Sequence, residues 1–313
     1  LSLQTDYVAF HRQLPGTVNF SEVYRNAFLE GYANRNRVTL SSPLRGLNAD
    51  LLAWLNLDGT LYDNTRAPLP VFLSQYRQKL LDSGLRGSLG GELELTQGLK
   101  LSAGLAAELG SERYQNQNML LPANALDHRA GFANASLKSS LELDRGDLIY
   151  SGAGALRYDH AGADDNFSWR LEGSIRRYGF VESTLGGTLG TSFALPSPYD
   201  LYWRGDSQAI GNPDLASERS KGWQIWLDNR LGTFNLRAAW HHNTIDSLIQ
   251  WRQVQMFGNV WKPLNIGRAR IRNLELETGW KPLEWLKLSG AALITDALGG
   301  VDVKFPKTKV TVD

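Results

Sequence analysis

Apolar and polar residues alternate with a period of two along most of the chain. Between Leu85 and Thr96, Leu85, Gly87, Leu89, Gly91, Leu93 and Leu95 fall on one side. Arg86, Ser88, Gly90, Glu92, Glu94 and Thr96 fall on the other. Successive side chains of a β-strand point to opposite faces, so this spacing predicts a strand with one greasy and one wet face. The following segment repeats it, with Leu99, Leu101, Ala103, Leu105, Ala107 and Leu109 set against Lys100, Ser102, Gly104, Ala106 and Glu108. A third run places Ala133, Ala135, Leu137, Ser139, Leu141 and Leu143 opposite Asn134, Ser136, Lys138, Ser140, Glu142 and Asp144. Similar alternation covers 47–58, 167–177 and 234–243, with weaker versions near Asn26, Leu148, Thr184, Trp223 and Trp285.

The pattern predicts roughly fourteen strands of about ten residues or more, longer than the five or six usual in soluble sheets and close to the 9–11 that cross a bilayer at a tilt. The connections alternate too. Short turns are predicted at Gln97-Gly98, Arg145-Gly146, Leu231-Gly232 and Lys281-Pro282, and long polar links at roughly 60–78, 111–128 and 195–217. In a meander every second turn lies on the same rim, so one rim is tight and the other carries large loops, as in an outer-membrane barrel. Rings near the strand ends (Tyr178, Phe180, Phe193, Phe234, Trp240, Trp280 and Trp285) fit aromatic girdles at the two interfaces, although aromatic residues also favour strands in general.

The predicted fold is therefore all-β, an antiparallel transmembrane β-barrel. Its outer face is Leu, Ala and Gly, and its inner face is charged or polar. Asp50, Asn56, Lys138, Glu142 and Arg170 are assigned to that inner face, where they would hydrate the lumen or meet a plug. Backbone groups within lipid must all be paired, and among β structures a closed sheet alone achieves this.

Composition trims the alternatives. No run of about 18 apolar residues exists to form a membrane-spanning helix. Lys+Arg 33 against Asp+Glu 32 gives a net charge of +1 and no basic stripe for nucleic acid. The absence of cysteine removes disulfides, thiolate metal sites and cysteine nucleophiles. His241 and His242 are adjacent in a strand pattern and so point to opposite faces, which argues against a shared metal ion. Arg204-Gly205-Asp206 reads as a chance tripeptide, and Gly186, Gly187 and Gly190 sit in a strand pattern with no following helix to cradle phosphate. Asp164-Asp165 is assigned to a short polar loop. No nucleophile elbow or carboxylate pair supports catalysis, and neither a cofactor nor a metal is expected.

Three segments are more specific. Ser192 to Ser220 contains Phe193, Pro196, Asp200-Leu201-Tyr202, Gly211-Asn212-Pro213-Asp214-Leu215 and Glu218. Pro196 and Pro198 would end a strand by removing ladder donors, the Gly-Asn-Pro run would turn the chain, and Glu218 would open the next strand. Some fifty residues later, Asn265, Gly267, Ala269 and Glu275 lie in a second segment, where apolar parity passes from Ala269 and Ile271 to Leu274, Leu276 and Trp280. That shift predicts a bulge around Arg272 and Asn273. Near the start stands Phe10-His-Arg-Gln-Leu-Pro-Gly-Thr-Val-Asn-Phe.

In this order, these segments closely resemble signature motifs of TonB-dependent outer-membrane receptors, most nearly those of the cobalamin type, with motifs shared by siderophore, haem and sugar importers. Leu195, Ser217 and Asn273 depart from the family pattern. The resemblance implies a 22-stranded barrel of which residues 1–313 would be one truncated domain, with strands missing at both ends and the plug and TonB box absent. It further implies a bacterial outer-membrane location, a small nutrient ligand such as cobalamin or an iron-siderophore, contact with outer-membrane lipid, and the TonB–ExbB–ExbD system as partner through the plug. The best candidates for ligand contact are Tyr199, Tyr202, Trp203, Arg204 and Asp206 on the large loop, with Trp251 and Arg252 as a second set. Packing of these loops against one another is the competing explanation. A passive porin and a soluble β-rich carbohydrate-active protein share the alternation, but the porin would lack the Gly211 to Leu215 segment and the enzyme would need a carboxylate pair in a cleft.

Overall fold

The computed structural model describes residues 1–13, 27–44, 46–66, 75–120, 125–162, 164–203, 209–255, 259–298 and 308–312. In chain order the strands are β1 (Ser2–Gln13), β2 (Phe28–Leu44), β3 (Leu47–Asp63), β4 (Gln75–Thr96), β5 (Leu99–Asn118), β6 (Leu126–Arg145), β7 (Leu148–Ala161), β8 (Asp164–Arg177) and β9 (Glu182–Ala194). A single helical turn α1 (Pro198–Tyr202) follows. Then come β10 (Glu218–Leu231), β11 (Phe234–Asp246), β12 (Ile249–Gln255), β13 (Asn259–Asn265), β14 (Arg268–Leu283), β15 (Leu286–Leu298) and β16 (Thr308–Val312). Fourteen strands form one antiparallel sheet in sequence order, except that β11 pairs directly with β14 while β12 and β13 form a separate hairpin.

The register settles which residues share a face. Leu85, Leu109 and Ala133 are partners in one row, and Leu89, Leu105 and Leu137 in another. These leucines remain in the open, Leu105 at 55%, Leu109 at 65% and Leu137 at 50% exposure, so the leucine-rich face is not a protein core. The opposite face carries Tyr76 of β4 and His128 of β6. The ring of Trp203, just past α1, meets Tyr76 edge-on at 4.4 Å, and Tyr202 meets His128 at 4.2 Å. A segment that leaves β9 can touch β4 and β6 only if the sheet curls towards it. The polar face is thus concave, and Asp50, Asn56, Lys138, Glu142 and Arg170 all lie on it by register.

The concave wall is lined in places by rings laid over glycines. Trp54, Gly84, Gly110 and Phe132 are partners along one row across β3 to β6, and the Trp54 and Phe132 rings stack at 6.3 Å above the two glycines. Trp54 also donates from Nε1 to both Asp82 carboxylate oxygens at 3.1 Å. A Cβ on Gly84 would lie 2.4 Å from the Trp54 ring, so the missing side chain is what lets the ring lie flat.

The rims differ as predicted, but three of the boundaries move. The supposed links at 60–78 and 111–128 are strand at both of their ends: β3 runs to Asp63, β4 starts at Gln75, β5 continues to Asn118 and β6 begins at Leu126. The turn expected at Lys281-Pro282 lies instead at Glu284 and Trp285, beyond a register shift between Trp280 and Leu283. The turns at Gln97-Gly98 and after Arg145 and Leu231 are where they were expected. Gly98 occupies a left-handed backbone conformation (φ 77°) there, with Asp144 O 2.8 Å from where a Cβ would sit.

No bulge occurs at Arg272 and Asn273, because β14 pairs without interruption with β11 from Arg268 to Trp280. What changes along β14 is chemistry and not parity: Trp280, Leu276 and Leu274 share the convex face with Arg272, Arg270 and Arg268. Asp164 and Asp165 are the first residues of β8 and not a loop. Trp251 and Arg252 belong to β12 of the separate hairpin and do not extend the strand that starts at Phe234.

Candidate functional site

The two signature segments, fifty residues apart in sequence, meet in one cluster above the wall. Strand β9 ends at Ala194, and Ser197 caps α1 through a reciprocal capping box. Asp200 N donates to Ser197 Oγ at 3.1 Å, while Ser197 N and Oγ donate to Asp200 Oδ2 at 3.3 and 2.6 Å. The other carboxylate oxygen of Asp200 accepts from Trp251 Nε1 at 2.8 Å. A single aspartate therefore closes the helical turn and ties it to the hairpin β12–β13.

Gly211 and Asn212 hold the return of this loop. Gly211 N donates to Trp203 O at 2.8 Å, and Asn212 N donates to Asp200 O at 2.7 Å. The Asn212 side chain donates to Pro263 O at 3.0 Å and accepts from Asp214 N at 3.3 Å. A Cβ on Gly211 would stand 2.5 Å from Trp203 N and 2.7 Å from the Leu201 carbonyl, all backbone atoms, so only glycine fits this approach. Leu215 is buried beside it, and Pro213 and Asp214 remain exposed on the turn.

Asn265 is the second node. Its Oδ1 accepts from Ala216 N at 2.9 Å, and its Nδ2 donates to Ala216 O at 2.9 Å and Ser247 O at 2.7 Å. Glu218 opens β10 and accepts from Ile249 N at 2.6 Å, pinning the first residue of β12. Gly267 takes φ 93° in the connection to β14, where Ala269 is fully buried. Glu275 lies deeper on the concave face, 3.2 Å from His241 Nε2, whereas His242 faces outward and stacks on Trp223. Ser217, at a position where the family pattern departs, is buried and donates to Asp164.

The proposed ligand-contact residues divide. Trp203 is 2% exposed, wedged between Tyr76 and Tyr199, so its ring is already covered by protein. Tyr199 is 40% exposed and lies 5.3 Å from the Trp251 ring. Tyr202 is half-buried, and burial raises its phenol pKa above the ordinary value, so it is neutral at physiological pH. Trp251 and Arg252 are half-buried on the hairpin. Arg204 and Asp206 lie outside the described residues. The structure thus brings Tyr199, Trp203 and Trp251 into one aromatic cluster, whereas Tyr202 packs on His128.

Several participants were invisible to sequence reasoning. Tyr62 and Tyr76 stack at 4.8 Å under the α1 segment, and Gln78 and Asn116 both donate to Tyr114 Oη at 3.1 Å. All lie in stretches taken for loops or on strand ends whose partners only the register reveals. Further down, the wall is charged: a concavity of about 360 Å³ is lined by residues including Asp6, Arg35, Arg37, Asp58, Asp82 and Glu112.

Comparison with known proteins agrees with the signature. A family model described as "TonB dependent receptor-like, beta-barrel" matches residues 2–312. The chain is similar to the vitamin B12 transporter BtuB of Vibrio vulnificus, at 25% identity over 202 residues covering 58% of the chain and 32% of the relative. It is also similar to BtuB of Photobacterium profundum, at 27% identity over 190 residues, 60% of the chain and 29% of the relative. Among solved structures, the siderophore receptor PirA from Acinetobacter baumannii superposes with TM-score 0.70 at 13% identity, over 90% of this chain and 47% of that one. The Serratia marcescens hemophore receptor HasR superposes with TM-score 0.68 at 15% identity, over 94% and 51%. The matched region is under a third of the curated relatives' length and about half that of the solved chains. With the fold, the ordered motifs and the family model in agreement over nearly all its residues, the chain belongs to the TonB-dependent receptor family and forms part of its β-barrel.

Proposed function

We propose that the full-length protein is an outer-membrane receptor that takes up a scarce nutrient of the cobalamin or iron-siderophore class, driven through the TonB–ExbB–ExbD system. The observation that carries this is the coupling of two features: a leucine-rich convex wall left exposed, and a loop cluster knotted onto it by the family's own signature residues. The relatives named as vitamin B12 transporters and siderophore or hemophore receptors support the ligand class.

In this reading the leucine wall lies in lipid and the concave face surrounds water and a plug. Asp50, Asn56, Lys138, Glu142 and Arg170 hydrate that interior or meet the plug. Ligand contact falls to Tyr199, Tyr202, Trp251 and Arg252, with Arg204 and Asp206 on the same loop, while Trp203 supports them from below. The test is uptake of labelled cobalamin and iron chelates by a strain lacking the gene, with and without a plasmid copy. Uptake restored only by the plasmid, and abolished by dissipating the proton gradient, supports the proposal. Equal uptake of both without the gene or the gradient overturns it.

A further inference from the structure

The hairpin β12–β13 has two outer edges, and only one of them is filled. Ile266 N donates to Leu248 O at 2.8 Å, so at the base of the hairpin this pair points its main-chain groups inward. Inward and outward pairs alternate along an antiparallel ladder. By register, Ile249, Trp251, Gln253 and Gln255 on β12 and Trp261 and Pro263 on β13 therefore turn their main-chain groups outward. Pro263 agrees with this assignment, because proline is tolerated where no ladder donor is needed.

The outer edge of β13 is occupied: Trp261 O accepts from Ile210 N at 2.9 Å, and Pro263 O accepts from Asn212 Nδ2 at 3.0 Å. On β12 the Glu218 carboxylate takes Ile249 N at 2.6 Å, and beyond that point the edge is open. Among the described residues, the outward main-chain groups of Trp251, Gln253 and Gln255 meet no partner, and Gln253 and Gln255 are exposed. Such an edge offers a donor and an acceptor about every 7 Å, a spacing that another extended main chain matches and a compact nutrient does not. The charge of the hairpin narrows the choice. Residues 248–267 contain no acid, and their two cations, Arg252 and Lys262, are register partners on one face. A strand added beside β12 would set its side chains next to Arg252, which favours an acidic residue there and disfavours a basic one.

We propose that the open edge of β12 takes an extended, acidic segment of a protein partner outside the cell as an added strand, a docking surface separate from the ring contacts to the nutrient. The inference rests on the outward placement of these loops in the receptor reading above. The experiment titrates the full-length protein in detergent with a labelled, end-blocked hexapeptide of alternating Glu and Val. Its counterpart of alternating Lys and Val, and the acidic sequence methylated at every backbone nitrogen, are titrated alongside. The acidic peptide is expected to bind about tenfold more tightly than the basic one, and the methylated peptide is expected not to bind. Gln253→Pro removes an outward donor at the middle of the edge without cutting a bond to β13, and should weaken binding about tenfold. Gln253→Ala keeps that donor and should stay within about twofold of the wild type. Unchanged hydrogen exchange across β12–β13 checks that both variants keep the hairpin. Binding that is indifferent to methylation, to peptide charge or to Gln253→Pro overturns the proposal. Absence of binding by the wild type overturns it too, since another segment of the full-length protein would then already fill the edge. Nutrient uptake is measured without the peptide, so the receptor reading survives either failure. Peptide bound by the purified protein but not by intact cells overturns the outward placement on which both rest.

Discussion

At the scale of single residues, the loop cluster depends on contacts that tolerate little change. Gly211→Ala would drive a methyl group into the backbone of Leu201 and Trp203, and α1 would have to move to admit it. The expected cost is about 1–3 kcal/mol, confined to the loop, and faster hydrogen exchange at residues 199–203 with unchanged exchange in β10 is the measurement. Asn265→Ala would strip partners from Ala216 N, Ala216 O and Ser247 O at once. Water can reach part of this site, so a cost of about 1–2 kcal/mol is expected, read as increased protease cleavage within β12–β13. On the wall the contrast is between faces. Leu141→Arg should cost roughly 2–4 kcal/mol in the full-length barrel at mid-membrane, and Ser140→Arg on the concave face far less. Urea unfolding in lipid vesicles distinguishes them, and equal costs would refute the assignment of faces.

At the scale of elements, the hairpin β12–β13 is an excursion from an otherwise continuous wall. It leaves at Asp246 and returns at Arg268, and those two residues are already register partners joined by an ion pair. Replacing residues 248–266 with a short glycine-rich turn should therefore leave the heat-modifiable barrel intact while abolishing ligand binding, because Trp251, Arg252 and the anchor for Asp200 go with it. The lower halves of the strands were legible in sequence because lipid demands leucine on one face: Leu85 to Thr96 and Leu99 to Leu109 show it residue by residue. Their upper halves were not. Beyond Leu81 the convex positions of β4 become Lys79 and Arg77, and on β5 they become Arg113 and Gln115, so the greasy face is lost and period two disappears although the ladder continues. The same change on β14, from Leu274 to Arg272, mimics a shift of parity and produced the expectation of a bulge. For the cluster, the motif residues could be found by resemblance, but the pairing of Asn265 with Ala216 or Tyr76 with Trp203 depends on curl and register, which a linear pattern does not contain.

At the scale of the whole molecule, the sheet is an open arc whose β1 and β16 edges have no strand partner among the described residues. Pairing of every backbone group within lipid requires closure, so in the full-length protein these edges are expected to be met by further strands. Cysteines placed on β1 and on a neighbouring strand outside this chain should cross-link in intact cells, and absence of cross-links with every candidate strand would argue against a closed barrel.

The length of β4 has a last consequence. Its 22 residues, at about 3.3 Å each and tilted by about 40°, rise roughly 55 Å, whereas the greasy belt is only about 25 Å tall. About half of this stave therefore stands clear of the bilayer as a rigid chimney with an interior of its own. A molecule arriving from outside would pass the stretch of wall that carries Tyr62, Tyr76 and Tyr114 well before it drew level with the lipid tails. The lining of that vestibule, as much as the loops at its mouth, can then filter what descends.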